Sequence, residues 1–263
     1  MAPLKIKVAK NKNSTKVIQK SFERSEEDIE DLVSDGRKRF QRDFPLILEM
    51  RKGNDAPVDS IGCHMLADKS ADLDTQHFQT LTALILSPRV KDQQTAIAMT
   101  KLKEHCLTVE NIIKTPVEEI QKIISFIGLA KTKAERLHKC AKILHEQYDG
   151  KVPNDYEKLM ALPGVGDKIA SLVMVNCFDS DQFIGVDTHV HRIANMLKWV
   201  KTRTPKGTDD ALKELVPRSQ WRALNVALVG FGQTVCKAPH PRCEICLLNT
   251  TCAMSKCREK KGH

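Results

Sequence analysis

No run of apolar residues in this 263-residue chain approaches the roughly 18 needed to cross a bilayer, and the N-terminus has no apolar segment of the kind that drives secretion. The expectation is a soluble, intracellular protein with no membrane partner. Strand-like alternation is scarce, which argues against a β-rich fold. There is no fixed-period repeat, and no low-complexity tract beyond the first two dozen residues. Cysteines number nine. An odd count in a reducing compartment does not make a disulfide framework, so metal ligation is the better use for any cluster of them. Cys63, Cys106, Cys140 and Cys177 stand in apolar-rich helical patterns and read as small buried hydrophobes.

Acids and arginine are missing from residues 1–22, while six lysines (Lys5, Lys7, Lys10, Lys12, Lys16 and Lys20) stand there; they take six of the net +9, leaving +3 for the rest. Residues 1–24 therefore read as a basic mobile arm suited to nuclear import or loose DNA contact, and residues 256–263 as a basic tail. The lack of arginine weakens a mitochondrial targeting reading. The nucleus is the expected location, with the mitochondrion as a second destination. A basic excess fits a polyanionic partner, because neutralising phosphates releases counterions.

With 41% apolar residues the chain has the makings of a sizeable core. A helix is expected to start near Ser25, where Glu26, Glu27 and Asp28 suit the positive end of a helix dipole. Residues 54–76, with Pro57, Gly62 and many short polar side chains, read as a long connection. From Phe78 onward the period is helical: Phe78, Leu81, Leu84 and Ile85 recur at three- and four-residue spacings, as do Ile120, Ile123, Ile124 and Ile127. Breaks at Pro88, Gly128, Asp149-Gly150, Pro163-Gly164 and Asp179 cut this stretch into helices of ordinary length. The fold class expected is all-α.

Three patterns carry chemistry. The first is Leu162-Pro163-Gly164-Val165-Gly166-Asp167-Lys168-Ile169-Ala170, between a helix ending near Leu162 and one opening at Gly166 or Asp167 with a stripe of Ile169, Leu172, Val173 and Asn176. Glycines at 164 and 166 allow backbone conformations closed to other residues and let amides approach a phosphate at a helix N-terminus, irrespective of base sequence. Lys168 is then either one more phosphate contact or a nucleophile. The second role needs the neutral amine, about one molecule in a thousand near pH 7.4 at the ordinary lysine pKa of about 10.4, and a helix N-terminus with partial desolvation disfavours the ammonium form.

The second pattern is Ile184-Gly185-Val186-Asp187-Thr188-His189-Val190-His191-Arg192. Asp187 reads as a helix N-cap that can also face a cleft and stabilise positive charge on a sugar or assist proton transfer. His189 and His191 read as hydrogen-bonded structural residues, and Arg192 as a phosphate contact or a solvated side chain. The third is Cys236-x6-Cys243-x2-Cys246-x5-Cys252, four thiols within seventeen residues. It suits a closed site for zinc or an iron–sulfur cluster, and spacing alone leaves both open. Lys237, His240 and Arg242 in its first loop offer a phosphate-contacting surface, and Cys257 is a spare thiol.

Together with Asp55-Ala56-Pro57-Val58-Asp59, Lys91-Asp92-Gln93, the run from Val186 to Asn195 and Val229-Gly230-Phe231-Gly232-Gln233, these patterns resemble the endonuclease III family of helix-hairpin-helix DNA glycosylases, in its animal form, from about Leu48 to Cys252. The resemblance implies a six-helix barrel domain over residues 77–181 and a second helical domain from residues 25–76 with 182–255. Cys236, Cys243, Cys246 and Cys252 would hold a [4Fe–4S] cluster in the second domain, and duplex DNA with oxidised pyrimidines or abasic sites would lie in the cleft between the two. It implies Lys168 as the nucleophile that expels an oxidised pyrimidine from a flipped-out nucleotide and leaves a Schiff base for β-elimination, with Asp187 stabilising the sugar. DNA contacts would come from Gly164, Gly166, Lys237 and Arg242. Where the family has a gap-filling glutamine this chain has Arg89, after Pro88, and with donors only it should alter preference for the opposing base. Leu129 matches the family's wedge residue, and Ala130 replaces the aromatic often found next. A monofunctional adenine-mismatch glycosylase lacks the lysine. A silent DNA-binding module would bind without base release, and a zinc scaffold would be colourless. The expected protein is a monomer whose blocked 3′ ends need a downstream end-processing nuclease.

Overall fold

The computed structural model describes residues 26–105 and 107–255; the basic arm, the basic tail, Cys106 and Cys257 lie outside them. Among the described residues there is no strand, and the all-α expectation holds. The α-helices are α1 (Glu26–Met50), α2 (Pro57–Ile61), α3 (Leu73–Leu86), α4 (Asp92–Glu104), α5 (Val109–Lys114), α6 (Val117–Ile123), α7 (Ala130–Tyr148), α8 (Tyr156–Met160), α9 (Asp167–Phe178), α10 (Thr188–Met196), α11 (Pro205–Leu215) and α12 (Trp221–Thr234). No described helix is long and apolar enough to cross a membrane.

The starts of these helices follow from local chemistry. Asp72 accepts the Thr75 amide at 2.9 Å at the head of α3, Thr108 the Asn111 amide at 3.3 Å at α5, and Asp155 the Lys158 amide at 2.9 Å at α8. Each satisfies an amide that the first turn leaves without a partner. The reading of residues 54–76 as a plain connection is corrected by two such signals. Pro57 opens α2, with Asp59 accepting the Ala56 amide at 2.9 Å, and Asp72 starts α3 at Leu73. A 3-10 turn at Cys63–Met65 lies between.

Two hydrophobic cores result. The first gathers Phe78, Leu81, Met99, Leu102, Ile120, Leu137, Leu144 and Val173, all buried, from α3 to α9. In it α3 packs on α9, and α7 packs on α5 and α6. The second joins distant stretches of chain: Phe40, Phe44 and Ile47 of α1 meet Val190, Ile193, Trp199, Leu228 and Phe231. Phe40 stacks on Phe44 with centroids 4.9 Å apart and meets the Trp199 ring edge-on at 5.1 Å. The Trp199 indole donates to the buried Asp43 carboxylate at 3.0 Å, so the tryptophan is buried without stranding its N–H. At roughly 1.5–3 kcal/mol per fully buried large apolar side chain, each core is large enough to hold its helices in place. The joint between them places the site.

Candidate active site

A cleft of about 740 Å³ opens where the cores meet. Lys168, Leu172 and Asn176 of α9 line it, with the Ser87–Asp92 turn, Asp187 to His189, and Arg222, Asn225 and Gln233 of α12. Lys168 is the second residue of α9. The chain reaches it through Gly164, whose φ of +85° is a left-handed conformation that favours glycine, then through Gly166. Gly166 itself is extended, with φ −119° and ψ −179°; the sequence reading that it needs glycine's conformational freedom is corrected. What its missing side chain leaves is room, since a Cβ there would meet nothing within 4 Å. The Tyr156 hydroxyl donates to Asp167 across the hairpin, tying the start of α8 to the start of α9. Burial and that carboxylate both push the Tyr156 hydroxyl pKa up, so the phenol stays a donor.

Asp187 caps α10. Its Oδ1 accepts the Val190 amide at 2.9 Å, and its Oδ2 lies 3.9 Å from the Lys168 Nζ. That distance is an ion pair at arm's length, too long for a hydrogen bond. The carboxylate is 11% exposed and fixed by its cap, while the lysine is 46% exposed. A buried, oriented anion thus faces an amine with room to reach into the cleft. The Cys63 thiol also lines the cleft, and burial pushes its pKa up to about 11; it remains a neutral thiol near pH 7.

Arg89 lines the same cleft from an exposed turn, in the left-handed region at φ +61°. Leu129 stands outside the cleft at the head of α7, also at φ +61° and 58% exposed. Lys237 and Arg242 lie in the cysteine loop and do not line the cleft. His191 donates or accepts at Thr208 across 2.6 Å, as a structural histidine would. His189 differs: its Nδ1 is buried without a hydrogen-bond partner and packs so closely on Gly232 that a Cβ there would lie 2.4 Å away. Arg192 turns inward, donating to the Cys236 carbonyl at 2.5 Å and towards its Sγ at 3.6 Å, which corrects its reading as a phosphate or solvent residue.

Cys236, Cys243, Cys246 and Cys252 line one small, mostly apolar cavity of about 40 Å³. Burial raises the Cys236 and Cys246 thiols, Cys246 to about 11, and their cysteine neighbours raise them further. Four cysteines lining one cavity, two of them with their ionisation held back by burial, suit a cationic metal group that takes up thiolate charge. Among the described residues no three His, Cys, Asp or Glu side chains converge as a single metal ion requires; the four cysteines share the lining of one cavity.

The model of the HhH-GPD superfamily of base excision DNA repair proteins matches residues 82–218. The chain belongs to this superfamily. Endonuclease III-like protein 1 of Gallus gallus is 41% identical over 221 residues, 83% of this chain and 79% of that one. Endonuclease III of Thermotoga maritima is 41% identical over 71% of this chain and 87% of its own length. Among solved structures, a trapped covalent intermediate of endonuclease III with DNA superposes with a TM-score of 0.73 at 28% identity, covering 85% of this chain and 98% of that one. The part matched as HhH-GPD holds Arg89, Leu129, the hairpin, Lys168 and Asp187, and ends before the four cysteines. Sequence reasoning missed His64 and Arg222, which line the cleft of Lys168, and gave no role to the Gln233 side chain, which lines it too. Gln233 was legible only as part of a family pattern. For His64 and Arg222 the sequence carries no signal, since only the fold brings them to the cleft of Lys168.

Proposed function

We propose that this chain is a bifunctional DNA N-glycosylase and AP lyase that removes oxidised pyrimidines of the thymine glycol type from duplex DNA, initiating base excision repair. The observation that carries this reading is Lys168, at a helix N-terminus behind a glycine hairpin, 3.9 Å from a buried, capped aspartate in a cleft of about 740 Å³. The cleft has the volume for one flipped-out nucleotide, and damaged pairs cost less to open. The relatives named endonuclease III, and the solved covalent intermediate with DNA, support the same reaction.

In this reading the neutral Lys168 amine attacks C1′ of the flipped nucleotide. The bond from C1′ to the base breaks, and the base departs with the electron pair and takes up a proton. Opening of the sugar gives a protonated Schiff base, which draws electrons from C2′; loss of the C2′ proton then expels the 3′ phosphate by β-elimination. Asp187 stabilises the positive charge on the sugar and assists the proton transfers. Gly164 and Gly166 present hairpin amides to a phosphate, Lys237 and Arg242 contact the backbone from the cysteine loop, and Arg89 and Leu129 enter the gap left by the flipped nucleotide.

Cys236, Cys243, Cys246 and Cys252 would hold a [4Fe–4S] cluster, a reading supported by the four cysteines that line one cavity. With these thiols ligated, the loop that bears Lys237 and Arg242 would be tied in place, a structural contribution apart from the bond breaking. The two cores are read as two domains, residues 77–181 and residues 25–76 with 182–255. The chain works as a monomer in the nucleus and also in the mitochondrion, and hands its blocked 3′ ends to an end-processing nuclease.

Borohydride trapping on a duplex with one thymine glycol tests the reaction, because reduction locks the Schiff base into a stable crosslink. The natural chain should crosslink and Lys168→Gln should not. Base release without a crosslink would make the enzyme monofunctional, and binding without base release would make it a silent DNA-binding module.

A further inference from the structure

One buried side chain ties the turn that holds Arg89 to the helix headed by Leu129, two of the exposed left-handed residues. Lys133 of α7 is 3% exposed, and its ammonium donates to the Leu86 carbonyl at 2.7 Å and the Pro88 carbonyl at 3.0 Å. Among the described residues it forms no ion pair with a carboxylate, and burial lowers its pKa. An ammonium is expensive to bury unless its hydrogen bonds are made. Here the partners explain it. Leu86 ends α3, where the last carbonyls have no partner within the helix and the dipole favours a cation. The second bond reaches past the helix end to Pro88, whose neighbour Arg89 turns to φ +61° before the Val90 amide closes on the Ser87 carbonyl at 3.0 Å. The main-chain amide of the same lysine donates to the Leu129 carbonyl at 2.9 Å, and Leu129 is the other exposed residue at φ +61°. Non-glycine residues in that region persist only where the surroundings over-determine them. The Lys133 side chain supplies that constraint to the Pro88–Arg89 turn, while its main-chain amide makes the first i→i−4 bond of α7, to Leu129.

We propose that Lys133 is a positioning residue that locks the Pro88–Arg89 turn to the head of α7, so that Arg89 and Leu129 meet the duplex as a fixed pair and set the preference for the opposing base. This rests on the reading of those two residues as the ones that enter the gap. A neutral side chain of equal length fills the same volume but holds neither carbonyl. Lys133 itself does not line the cleft that holds Lys168, and acts on it only through the Pro88–Arg89 turn.

Lys133→Met in the full chain tests it with three readouts. Hydrogen exchange over residues 87–91 should quicken about tenfold or more, as expected for a turn that loses a charged hydrogen bond. The ratio of thymine glycol excision opposite guanine to that opposite adenine should move at least about threefold from its natural value and towards that of Arg89→Ala, while cleavage of a single-stranded abasic oligonucleotide stays within about twofold. Unchanged exchange overturns the proposal, as does an equal loss of duplex and single-stranded activity. If exchange quickens but the ratio holds, Arg89→Ala decides: a shift in that variant's ratio overturns the proposal for Lys133, and an unshifted ratio overturns instead the reading of Arg89 as a gap-filling residue. If Lys133→Met lowers the yield of folded protein, Lys133→Gln, whose uncharged donor is one bond shorter, is read by the same three measurements.

Discussion

Asp187 does two jobs with two oxygens. Oδ1 holds the Val190 amide and so starts α10, while Oδ2 faces Lys168 across 3.9 Å. The substitutions that separate these jobs are asparagine and alanine. Asp187→Asn keeps a capping oxygen and removes the charge, so its unfolding free energy should stay within about 0.5 kcal/mol of the natural chain. Its single-turnover excision should fall about a hundredfold or more, the usual scale for losing an oriented charge beside the reacting centre. Asp187→Ala should show the same loss of excision and, in addition, about 1 kcal/mol lower stability from the missing cap. Urea denaturation beside single-turnover kinetics reads both quantities. If asparagine retained full excision, Asp187 would be a cap and nothing more. The cap was legible in the sequence because it is local, needing residues 187 and 190, and the approach to Lys168 follows from the preceding helix, which carries the lysine nineteen residues upstream.

The hairpin between α8 and α9 repeats this legibility at the scale of an element, since all its determinants lie within a dozen residues. Its two glycines nevertheless work differently, and that was hidden. Gly164 sits at φ +85°, where a side chain is strained whatever space surrounds it, and a Cβ would also press on the flexible Arg136 side chain. Gly166 is extended and opens onto empty space. Gly164→Ala should therefore cost about 1–2 kcal/mol of stability. Gly166→Ala should cost less than about 1 kcal/mol, the margin between glycine and alanine at an N-cap, yet weaken duplex binding several-fold by placing a methyl group where a phosphate approaches. Thermal unfolding and fluorescence anisotropy on undamaged duplex separate the two, and full duplex affinity in Gly166→Ala would remove the hairpin from the DNA-contacting surface. Where the sequence misled, the cue was equally local but small. Asp59 and Asp72 each accept one amide, enough to turn part of a polar, Pro- and Gly-bearing stretch into α2 and the first turn of α3.

At the scale of the whole molecule the sequence was least informative, because the contacts that matter join residues far apart in the chain. Trp199 meets Asp43 across 156 positions, and Arg192 meets Cys236 across 44, which is why its inward turn could not be foreseen. One contact that spans the joint between the cores is made by Gln233. Its amide donates to the Asp92 carboxylate at 2.6 Å, at the head of α4 in the first core, while its oxygen accepts the Val58 amide at 3.0 Å in the second. Both partners line the cleft, so this one side chain sets the width of the site as well as the fit of its two walls. An amide suits the place because it donates on one side and accepts on the other. Gln233→Glu keeps the shape and the Val58 bond but sets a second carboxyl against Asp92. Like charges at that distance make the new carboxyl hold its proton above the ordinary glutamate range. A carboxyl pKa raised in the folded state gives stability that is present below the unfolded value of about 4.3 and lost as pH rises through the folded value. The variant should therefore match the natural chain near pH 4 and fall behind it at pH 7, by about 1.4 kcal/mol for every tenfold by which the folded protein tightens its hold on that proton. Thermal unfolding of both proteins from pH 4 to 8 measures the gap, and a gap that did not widen with pH would mean that the joint opens to let water separate the two carboxylates. In that case excision by Gln233→Glu at pH 7 should be slowed more than its stability is lowered, because a wider cleft no longer holds Lys168 and Asp187 on facing walls.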